Sequence, residues 1–303
     1  MWSPRRYVAA MGSVNGKVAL ITGGARGIGA GVARRLHGKG AKLALIDVDE
    51  APLKELAAEL GEDNVMTAIA DVRDYSAVRR AADNAVERFG GIDIVVANAG
   101  IASYGSVQQV DPEAFKRVID VNVVGVFNTV RAALPAVIDR RGYVLVVSSL
   151  AAYAASPGMA AYTTSKAGAE QFANALRLEL APLGVDVGSA HMSWIDTPMI
   201  HDVKADLSTF RELLTTLSGP LGKTTSVDKC ADAFIRGIEG RKHRVNCPRW
   251  VGFFRWLRPL LSSRVGEAQL LKSTPDGLLS RMDAEVAALG RSTSARNEAL
   301  DEQ

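Results

Sequence analysis

Short apolar runs alternate with longer amphipathic segments along most of this chain. The apolar runs cover residues 17–22, 42–46, 65–70, 92–97, 143–148 and 185–190. Segments 28–37, 52–60, 76–89, 112–138 and 162–180 lie between them and repeat apolar residues at helical spacing. This alternation predicts an α/β fold, a doubly wound parallel sheet with helices on both faces. Ligands bind such sheets at the carboxyl ends of the strands, so residues just after each run are the candidates for chemistry.

The pattern predicts one large domain over residues 15–248, preceded by a leader at 1–14 and followed by an extension at 249–303. The leader has an apolar stretch too short for a signal peptide. Residues 197–225 lack clean periodicity and carry several Pro and Gly, which favours a mobile lid over the site. From about residue 284 the chain becomes polar and small, and we expect a frayed or disordered tail.

Composition narrows the classes of function. The 303 residues include 36 Lys and Arg against 33 Asp and Glu, a formal charge of +3 that gives no argument for nucleic-acid binding. Only Cys230 and Cys247 are present, without metal-ligand spacing, and the histidines share none either, so no metal is predicted. No continuous apolar run approaches the roughly 18 residues of a membrane span. A cytoplasmic location is therefore the default expectation.

A glycine-rich loop follows the first apolar run and opens the first amphipathic segment. It reads Thr-Gly-Gly-Ala-Arg-Gly-Ile-Gly over residues 22–29. Glycines let the backbone approach a pyrophosphate closely, and a helix N-terminus supplies free N–H groups and a positive dipole end. The strand–turn–helix context predicts a Rossmann-type dinucleotide site that includes Gly23, Arg26, Gly27, Ile28 and Gly29.

Asp47 ends the second run, where a carboxylate accepts hydrogen bonds from an adenosine ribose. Its charge would repel a 2′-phosphate, which favours NAD over NADP. Arg26 argues in the other direction, because a guanidinium in the glycine loop would pair with that phosphate. We weigh Asp47 more heavily. NADP, and a solvated turn for Asp47, remain the alternatives.

Tyr162 and Lys166 are four residues apart on a predicted helix, and therefore on one face. A free phenol has a pKa of about 10 and is a poor base at neutral pH. A nearby positive charge favours the phenolate and lowers that pKa, which makes the phenol a usable proton-transfer group. Alone, this pair is also compatible with an ordinary solvated helix.

Taken together, these residues resemble the short-chain dehydrogenase/reductase family over about residues 15–250. The signs that match, in family order, are the glycine loop at 22–29, Asn98-Ala99-Gly100, Asn122, Ser148-Ser149 and the Tyr-x-x-x-Lys motif at 162–166.

The resemblance implies a catalytic tetrad of Asn122, Ser149, Tyr162 and Lys166. Tyr162 would transfer a proton to or from the substrate oxygen, and Ser149 would hydrogen-bond that oxygen. Lys166 would hold the nicotinamide ribose and lower the phenol's pKa, while Asn122 would interrupt its helix and hold a water. Ser148 is the alternative serine, expected to face the sheet.

The same precedent places further residues at the cofactor. Asp71 and Val72 would lie beside the adenine, and Asn98, Ala99 and Gly100 along the ribose. Ile195 and Thr197 would contact the nicotinamide carboxamide. Shortly before Ile195 and Thr197 the family usually has Pro-Gly, whereas this chain has Met192-Ser193. Substrate preference should therefore differ, with Met192 joining Ser149 and Tyr162 at the substrate. His191 we expect to be a packed polar residue.

Residues 249–261 combine an apolar stripe with arginines, a pattern that would suit a membrane interface, a partner subunit or a roof over the substrate.

The expected function is that of an NAD-dependent oxidoreductase that interconverts a secondary alcohol and a ketone. Met192, Trp194 and Met199 suggest that the substrate is a hydrophobic small molecule. Rivals are an NADP-dependent ketoreductase, a nucleotide-sugar epimerase or dehydratase, and a non-catalytic NAD sensor. The resemblance also implies a homodimer or homotetramer.

Overall fold

The computed structural model describes residues 12–301, so the expected leader at 1–14 lies almost wholly outside the described residues. Seven parallel strands form one sheet in the order β3-β2-β1-β4-β5-β6-β7. The strands are β1 Val18–Thr22, β2 Lys42–Asp47, β3 Val65–Ile69, β4 Ile94–Ala97, β5 Tyr143–Val147, β6 Asp186–Met192 and β7 Arg244–Cys247. The predicted doubly wound sheet is confirmed, and β7 adds a seventh strand that the apolar pattern did not predict because two of its four residues are polar.

Helices cover both faces of this sheet. One face packs against α1 Gly27–His37, α2 Glu50–Leu60 and α9 Val227–Glu239. The other packs against α3 Tyr75–Phe89, α5 Gly125–Asp139 and α6 Ala160–Leu180. Strands buried on both sides explain why the runs are continuously apolar instead of alternating. The two buried layers fix the sheet as a rigid platform for the loops at its carboxyl edge.

The strand register places the loops that follow β1, β2 and β4 side by side at that edge. Thr22, the last residue of β1, lies opposite Ile46 of β2 on one side and Ala97 of β4 on the other. The glycine loop, Asp47 and Asn98 follow these positions directly. Side chains that are 25 to 76 residues apart in sequence therefore meet at one place.

The predicted helix at 112–138 is interrupted in the structure. It divides into α4 Pro112–Ile119, a π-helical turn Asp120–Val124, and α5. By length and composition, the whole stretch Pro112–Asp139 could cross a membrane, with a mean hydropathy of 1.5. Half of its most apolar window is buried inside the protein, where α5 packs against α3 and α6, so it serves as a core helix of this fold.

Residues 197–225 are mostly helical, contrary to the expected aperiodic lid. They form α7 Pro198–Asp206 and α8 Ser208–Thr216, followed by a short 3₁₀ turn. A third apolar cluster joins these helices to the C-terminal extension through Tyr104, Val203, Leu207, Phe210, Leu214, Met282 and Val286. Each of these segments contributes only a few apolar residues to the cluster. A helical period is therefore hard to recognise within any one segment.

The extension also differs from expectation. It contains α10 Val251–Leu261, α11 Arg264–Ser273, α12 Leu278–Leu289 and α13 Ala295–Asp301. The residues from 284 to 301, expected to be disordered, form the end of α12, a buried stretch at 292–294 and then α13. Small polar residues are ordered here because the backbone of the main domain supplies their hydrogen bonds.

The two cysteines lie together. Cys230 of α9 and Cys247 of β7 are free and buried, and their side chains are hydrogen-bonded to each other. This bond and burial raise the pKa of Cys230, whereas the same bond lowers that of Cys247. They are packing residues, as expected, but they form a pair where the sequence suggested two isolated thiols.

Candidate active site

A cavity of about 280 Å³ opens at the carboxyl edge of the sheet. Most of the predicted site residues line it, namely Gly23, Arg26, Gly27, Ile28, Asp47, Asp71, Val72, Asn98, Ala99, Gly100, Tyr162, Lys166, Met192 and Thr197. Gly29, Asn122, Ser149 and Ile195 are not among the lining residues, although Ser149 is hydrogen-bonded to Tyr162, which is. The cavity therefore brings together residues from the ends of β1, β2, β4 and β6 and from α6.

The glycine loop is shaped by steric necessity. Gly23 has a φ of +64°, and a Cβ on it would lie 2.8 Å from the Cα of Ala99. A Cβ on Gly29 would lie 2.0 Å from the carbonyl oxygen of Gly23. Any side chain at either position would displace the backbone, so these glycines permit a close turn that leaves room above it for a ligand.

Asn98 holds this loop in place. Its side-chain Nδ2 donates to the carbonyls of Thr22 at 3.1 Å and Gly23 at 2.9 Å. The precedent placed Asn98 along the ribose, whereas its amide is here engaged with the glycine loop. It contributes to the cavity by fixing the loop that the phosphates would approach.

Asp47 has a partly satisfied carboxylate. One oxygen accepts from the N–H of Ala25 at 2.9 Å and the other from the N–H of Asp49 at 3.1 Å. Burial raises the pKa of Asp47, opposed by these backbone hydrogen bonds. Val48 is a third backbone donor to this carboxylate, which offers about four acceptor positions, so capacity remains for a ribose hydroxyl.

Arg26 is paired with Asp49 at 2.8 Å. The guanidinium that argued for a 2′-phosphate therefore already has a carboxylate partner beside Asp47. Two acids and one arginine at this corner leave the local charge negative, which disfavours an additional phosphate.

Asp71 and Val72, expected beside the adenine, line one side of the cavity. Asp71 forms an ion pair with Arg73 at 2.6 Å, and Val72 is buried. The carbonyl of Val72 accepts from Nδ2 of Asn128 at 2.8 Å, and a Cβ on Gly125 would meet its side chain at 2.5 Å. The position of Val72 is thus set by the buried face of α5.

Tyr162 and Ser149 form the polar end of the cavity. Their hydroxyls are hydrogen-bonded to each other, and the Ser149 hydroxyl also lies 3.4 Å from the carbonyl oxygen of Met192. Burial raises the pKa of Tyr162, opposed by the bond from Ser149. Lys166 was expected to lower this pKa, but in the ligand-free protein burial outweighs any such effect and the pKa is raised.

Lys166 is a buried cation with 4% of its surface exposed. Its ammonium donates to the carbonyl oxygen of Val147 at 3.1 Å and lies 5.6 Å from the centroid of the Tyr162 ring. Burial lowers the pKa of Lys166 to about 8. A Cβ on Gly100 would lie 3.2 Å from this ammonium, so the glycine leaves the space that the lysine occupies.

Asn122 occupies the π-helical turn, as the resemblance implied. Its Oδ1 accepts from the N–H of Ile101 at 2.8 Å, and its Nδ2 donates to the Ile101 carbonyl at 2.9 Å and to the Ser165 hydroxyl at 2.9 Å. Both amide hydrogens are therefore used in tying the loop after β4 to α6, and Oδ1 keeps one acceptor position. Of the two serines, Ser148 donates to the Lys166 carbonyl at 2.8 Å and is buried, which leaves Ser149 facing Tyr162.

The strand end that departs from the family pattern is well anchored. Met192 lines the cavity, and Thr197 packs against the position of Gly27, whose Cβ would lie 3.3 Å from it. Trp194, expected near the substrate, instead packs edge-on against Phe210 and donates to the Leu221 carbonyl at 2.8 Å. Trp194, which directly follows the replaced pair, thus connects this strand end to α8 and to the 3₁₀ turn after it.

His191 is a packed residue. It is fully buried, stacked 4.4 Å from the ring of Tyr153, with its ring nitrogens 2.9 Å from the Ser189 hydroxyl and 3.2 Å from the Ser149 carbonyl. Burial lowers the pKa of His191 to about 3. Within residues 12–301 no group of three or more His, Cys, Asp or Glu could hold a metal ion.

Sequence reasoning missed a set of cavity residues near the end of the chain. These are Ser294, Arg296, Asn297 and Leu300, together with Asp202 of α7 and Arg117 of α4. They belong to no motif and lie far from the glycine loop in sequence, so nothing local marked them.

A parallel sheet, a glycine cradle with an acidic residue on the next strand, and a buried tyrosine–lysine pair define a dinucleotide-dependent oxidoreductase. The family model for short chain dehydrogenases matches residues 17–208. The chain belongs to the short-chain dehydrogenase/reductase family, whose members act on the CH–OH group of their donors.

Two relatives show how similar this chain is to other oxidoreductases. An uncharacterized NAD-dependent oxidoreductase of Mycobacterium tuberculosis is 37% identical over 217 residues, which cover 66% of this chain and 78% of the relative. A trans-4-hydroxycyclohexanecarboxylate dehydrogenase of Sinomonas cyclohexanicum is 32% identical over 227 residues, covering 72% and 84%.

Solved structures agree with the fold. A short chain dehydrogenase from Mycobacterium paratuberculosis bound to NAD is 28% identical with a TM-score of 0.68, over 78% of this chain and 97% of its own. A 3-ketoacyl-(acyl-carrier-protein) reductase from Brucella melitensis complexed with NADH is 30% identical with a TM-score of 0.69, over 78% and 99%.

Proposed function

We propose that this protein is an NAD-dependent oxidoreductase that interconverts a secondary alcohol and a ketone on a hydrophobic small molecule. One observation carries the proposal. The Tyr162 and Lys166 side chains line the same cavity as the glycine loop and Asp47, so a bound dinucleotide and a carbonyl oxygen would share it.

The tetrad would divide the work between proton transfer and positioning. Tyr162 would take the hydroxyl proton of an alcohol, or return it to a ketone, while its hydrogen-bonded neighbour Ser149 would hold the same oxygen. Lys166 would donate to ribose hydroxyls, and Asn122 would fix the loop beside it. When bound, the nicotinamide accepts or supplies the hydride.

The residues present fit NAD better than NADP. Asp47 retains acceptor capacity for a ribose hydroxyl, and its charge, together with that of Asp49, opposes a 2′-phosphate. Arg26 remains engaged with Asp49 at 2.8 Å, which reduces its use as a phosphate ligand. NADP-dependent ketone reduction is the alternative within this site.

A hydrophobic substrate is supported by the cavity wall. Ile101, Val121, Met192, Met199 and Leu300 supply apolar surface around the polar end. The Sinomonas relative is named for a cyclic secondary alcohol that also carries a carboxylate. We extend only the secondary-alcohol class to this chain.

The test compares wild type with Tyr162→Phe, using NAD and NADP with cyclic and open-chain secondary alcohols. We expect turnover with NAD in the wild type and at least a hundredfold loss in the variant, since one positioned acid–base group is worth roughly 10²–10⁴-fold. NAD binding should be retained in both. Full activity of the variant would remove Tyr162 from the proposed role, and NAD binding without turnover of any alcohol would favour the sensor.

We further propose that α10 contacts an anionic membrane surface from the cytoplasmic side. Phe253, Trp256 and Leu260 are 63%, 74% and 56% exposed on this helix. The sequence has no acidic residue between Glu239 and Glu267 but contains seven Lys and Arg there. An apolar face with surrounding cations suits an interfacial helix, and arginines facing each other would disfavour self-association through this face.

Co-sedimentation with phosphatidylserine vesicles tests the membrane contact. Binding should fall strongly for Trp256→Ser, and less for Leu183→Ser, a matched exposed apolar residue outside the extension. Equal binding of both variants would contradict the proposal.

Homo-oligomerisation is proposed separately, through the exposed Phe127 of α5 and Leu178 of α6, and sedimentation velocity would test it.

A further inference from the structure

The segment from Arg291 to Leu300 is built into the main domain. The N–H of Tyr104 donates to the Ser292 carbonyl at 2.9 Å, and the Thr293 hydroxyl donates to the Ala102 carbonyl at 3.1 Å. Ser103 and Thr293 form an antiparallel bridge. The end of the chain therefore lies alongside the loop that follows β4, which also carries Asn98 and Gly100.

Two ion pairs connect the same segment to α7. The guanidinium of Arg291 forms two contacts with Asp206, at 2.7 and 2.8 Å. Arg296 also approaches Asp202 through two contacts, but each is 3.4 Å long, and its side chain is 35% exposed. The first pair is a short two-point anchor. The second is long, so Arg296 is held loosely and retains donors for another partner.

Arg296 lies towards the phosphate end of the cavity. Both Arg296 and Asp202 line it, and Asp202 lies one helical turn after Pro198, which starts α7. Thr197, just before that start, is adjacent to Gly27 at the beginning of α1. The start of α7 thus lies beside the glycine loop, and Arg296 is paired with Asp202 one helical turn further along α7.

We propose that Arg296 binds the diphosphate of the dinucleotide, so that the C-terminal segment completes the cofactor site in cis. This inference rests on the proposed NAD function. The glycine loop offers N–H groups from one side of the diphosphate, and the guanidinium would supply two donors from the other. Asp202, which opposes an anion at this place, would release Arg296 when the phosphates arrive.

Comparing three ligands distinguishes the contribution of the diphosphate to binding from that of the rest of the cofactor. We would measure NAD directly by calorimetry, and ADP and adenosine by displacement of NADH fluorescence. Arg296→Ala should weaken NAD and ADP by roughly tenfold, as for a partly exposed charge-assisted hydrogen bond. Adenosine, which has no phosphate, should bind to the variant and to wild type alike.

Matched variants distinguish direct binding from a structural latch. Arg281→Ala removes another arginine of the extension, paired with Glu212 at 2.7 Å outside the cavity, and should leave all three affinities unchanged. Arg296→Lys should recover part of the lost ADP affinity. Asp202→Asn should leave ADP binding unchanged or tighter, because it frees Arg296.

The outcomes are decisive in both directions. Unchanged ADP affinity in Arg296→Ala, or an equal loss in Asp202→Asn, would overturn the inference, since the second result means that the ion pair only holds the segment. An equal loss for adenosine would also overturn it. If the wild type bound neither NAD nor NADP, the proposed function itself would fail, which is a separate result.

Discussion

Replacing Lys166 by Met should make the protein more stable while it abolishes turnover. Lys166 is 4% exposed, and its ammonium donates a hydrogen bond to the Val147 carbonyl. Burial lowers its pKa from 10.5 to about 8. A cation held in this way destabilises the folded state, and it would be retained for its function at the cofactor.

The size of the effect follows from linkage. About 2.5 pH units separate the ordinary and folded pKa values, and each unit corresponds to about 1.36 kcal/mol. At pH 7 the charged lysine therefore destabilises the fold by about 3 kcal/mol. The substitution also loses the bond to Val147, worth about 1 kcal/mol. We expect a net gain of about 2 kcal/mol for Lys166→Met.

Urea unfolding of the ligand-free protein provides the measurement. Between about pH 8 and 10.5 the folded lysine loses its proton before the unfolded one does, so the unfolded state binds more protons and wild-type stability rises with pH. The advantage of the Met variant should therefore be full at pH 7 and should shrink towards pH 10. A variant that is less stable than wild type at pH 7, or an advantage independent of pH, would refute the reasoning.

Two further predictions concern backbone space and a buried base. Gly29→Ala should lower NAD affinity by more than tenfold and destabilise the fold by about 1–3 kcal/mol, because its Cβ meets a carbonyl oxygen at 2.0 Å; calorimetry and urea unfolding would show whether either effect is missing. The folded pKa of His191 is about 3 against an ordinary 6.5, so stability is full above about pH 6.5 and falls as the pH drops towards 3, by about 2 kcal/mol at pH 5. His191→Gln should reduce this acid sensitivity, with the exposed His201→Gln as control, and identical pH profiles for all three proteins would contradict it.

The sheet and the glycine loop could be predicted because they depend on local sequence. Six of the seven strands coincide with mainly apolar runs that the sequence shows, and such runs are typical of strands buried on both faces. The glycine loop directly follows the first of them, so its position at the carboxyl edge required only the order of elements. Asp47 and Asn98 could be placed at the same edge for the same reason.

The electrostatics of the site could not be read in the same way. Spacing placed Tyr162 and Lys166 on one face of α6, but it did not show that both groups are buried. Burial raises the pKa of Tyr162 and lowers that of Lys166, so in the protein alone each group is moved towards its neutral form. In the ligand-free protein at pH 7 the phenol is therefore neutral, whereas Lys166, with a pKa of about 8, is still mostly charged. A bound positive nicotinamide would add a second positive charge that lowers the phenol's pKa.

The C-terminal segment escaped prediction because its order depends on partners about 190 residues away. Ser292 and Thr293 are small, polar residues without periodicity, yet they are buried because the loop after β4 offers N–H and carbonyl groups to them. That loop begins with Asn98, which holds the glycine loop. One stretch of backbone thus connects residues 292–293 to the glycine loop, so a loss of the segment should weaken binding of the proposed cofactor even without direct contact. This is why the proposed role of Arg296 needs a diphosphate ligand and a neutral Asp202 for its test, instead of a truncation.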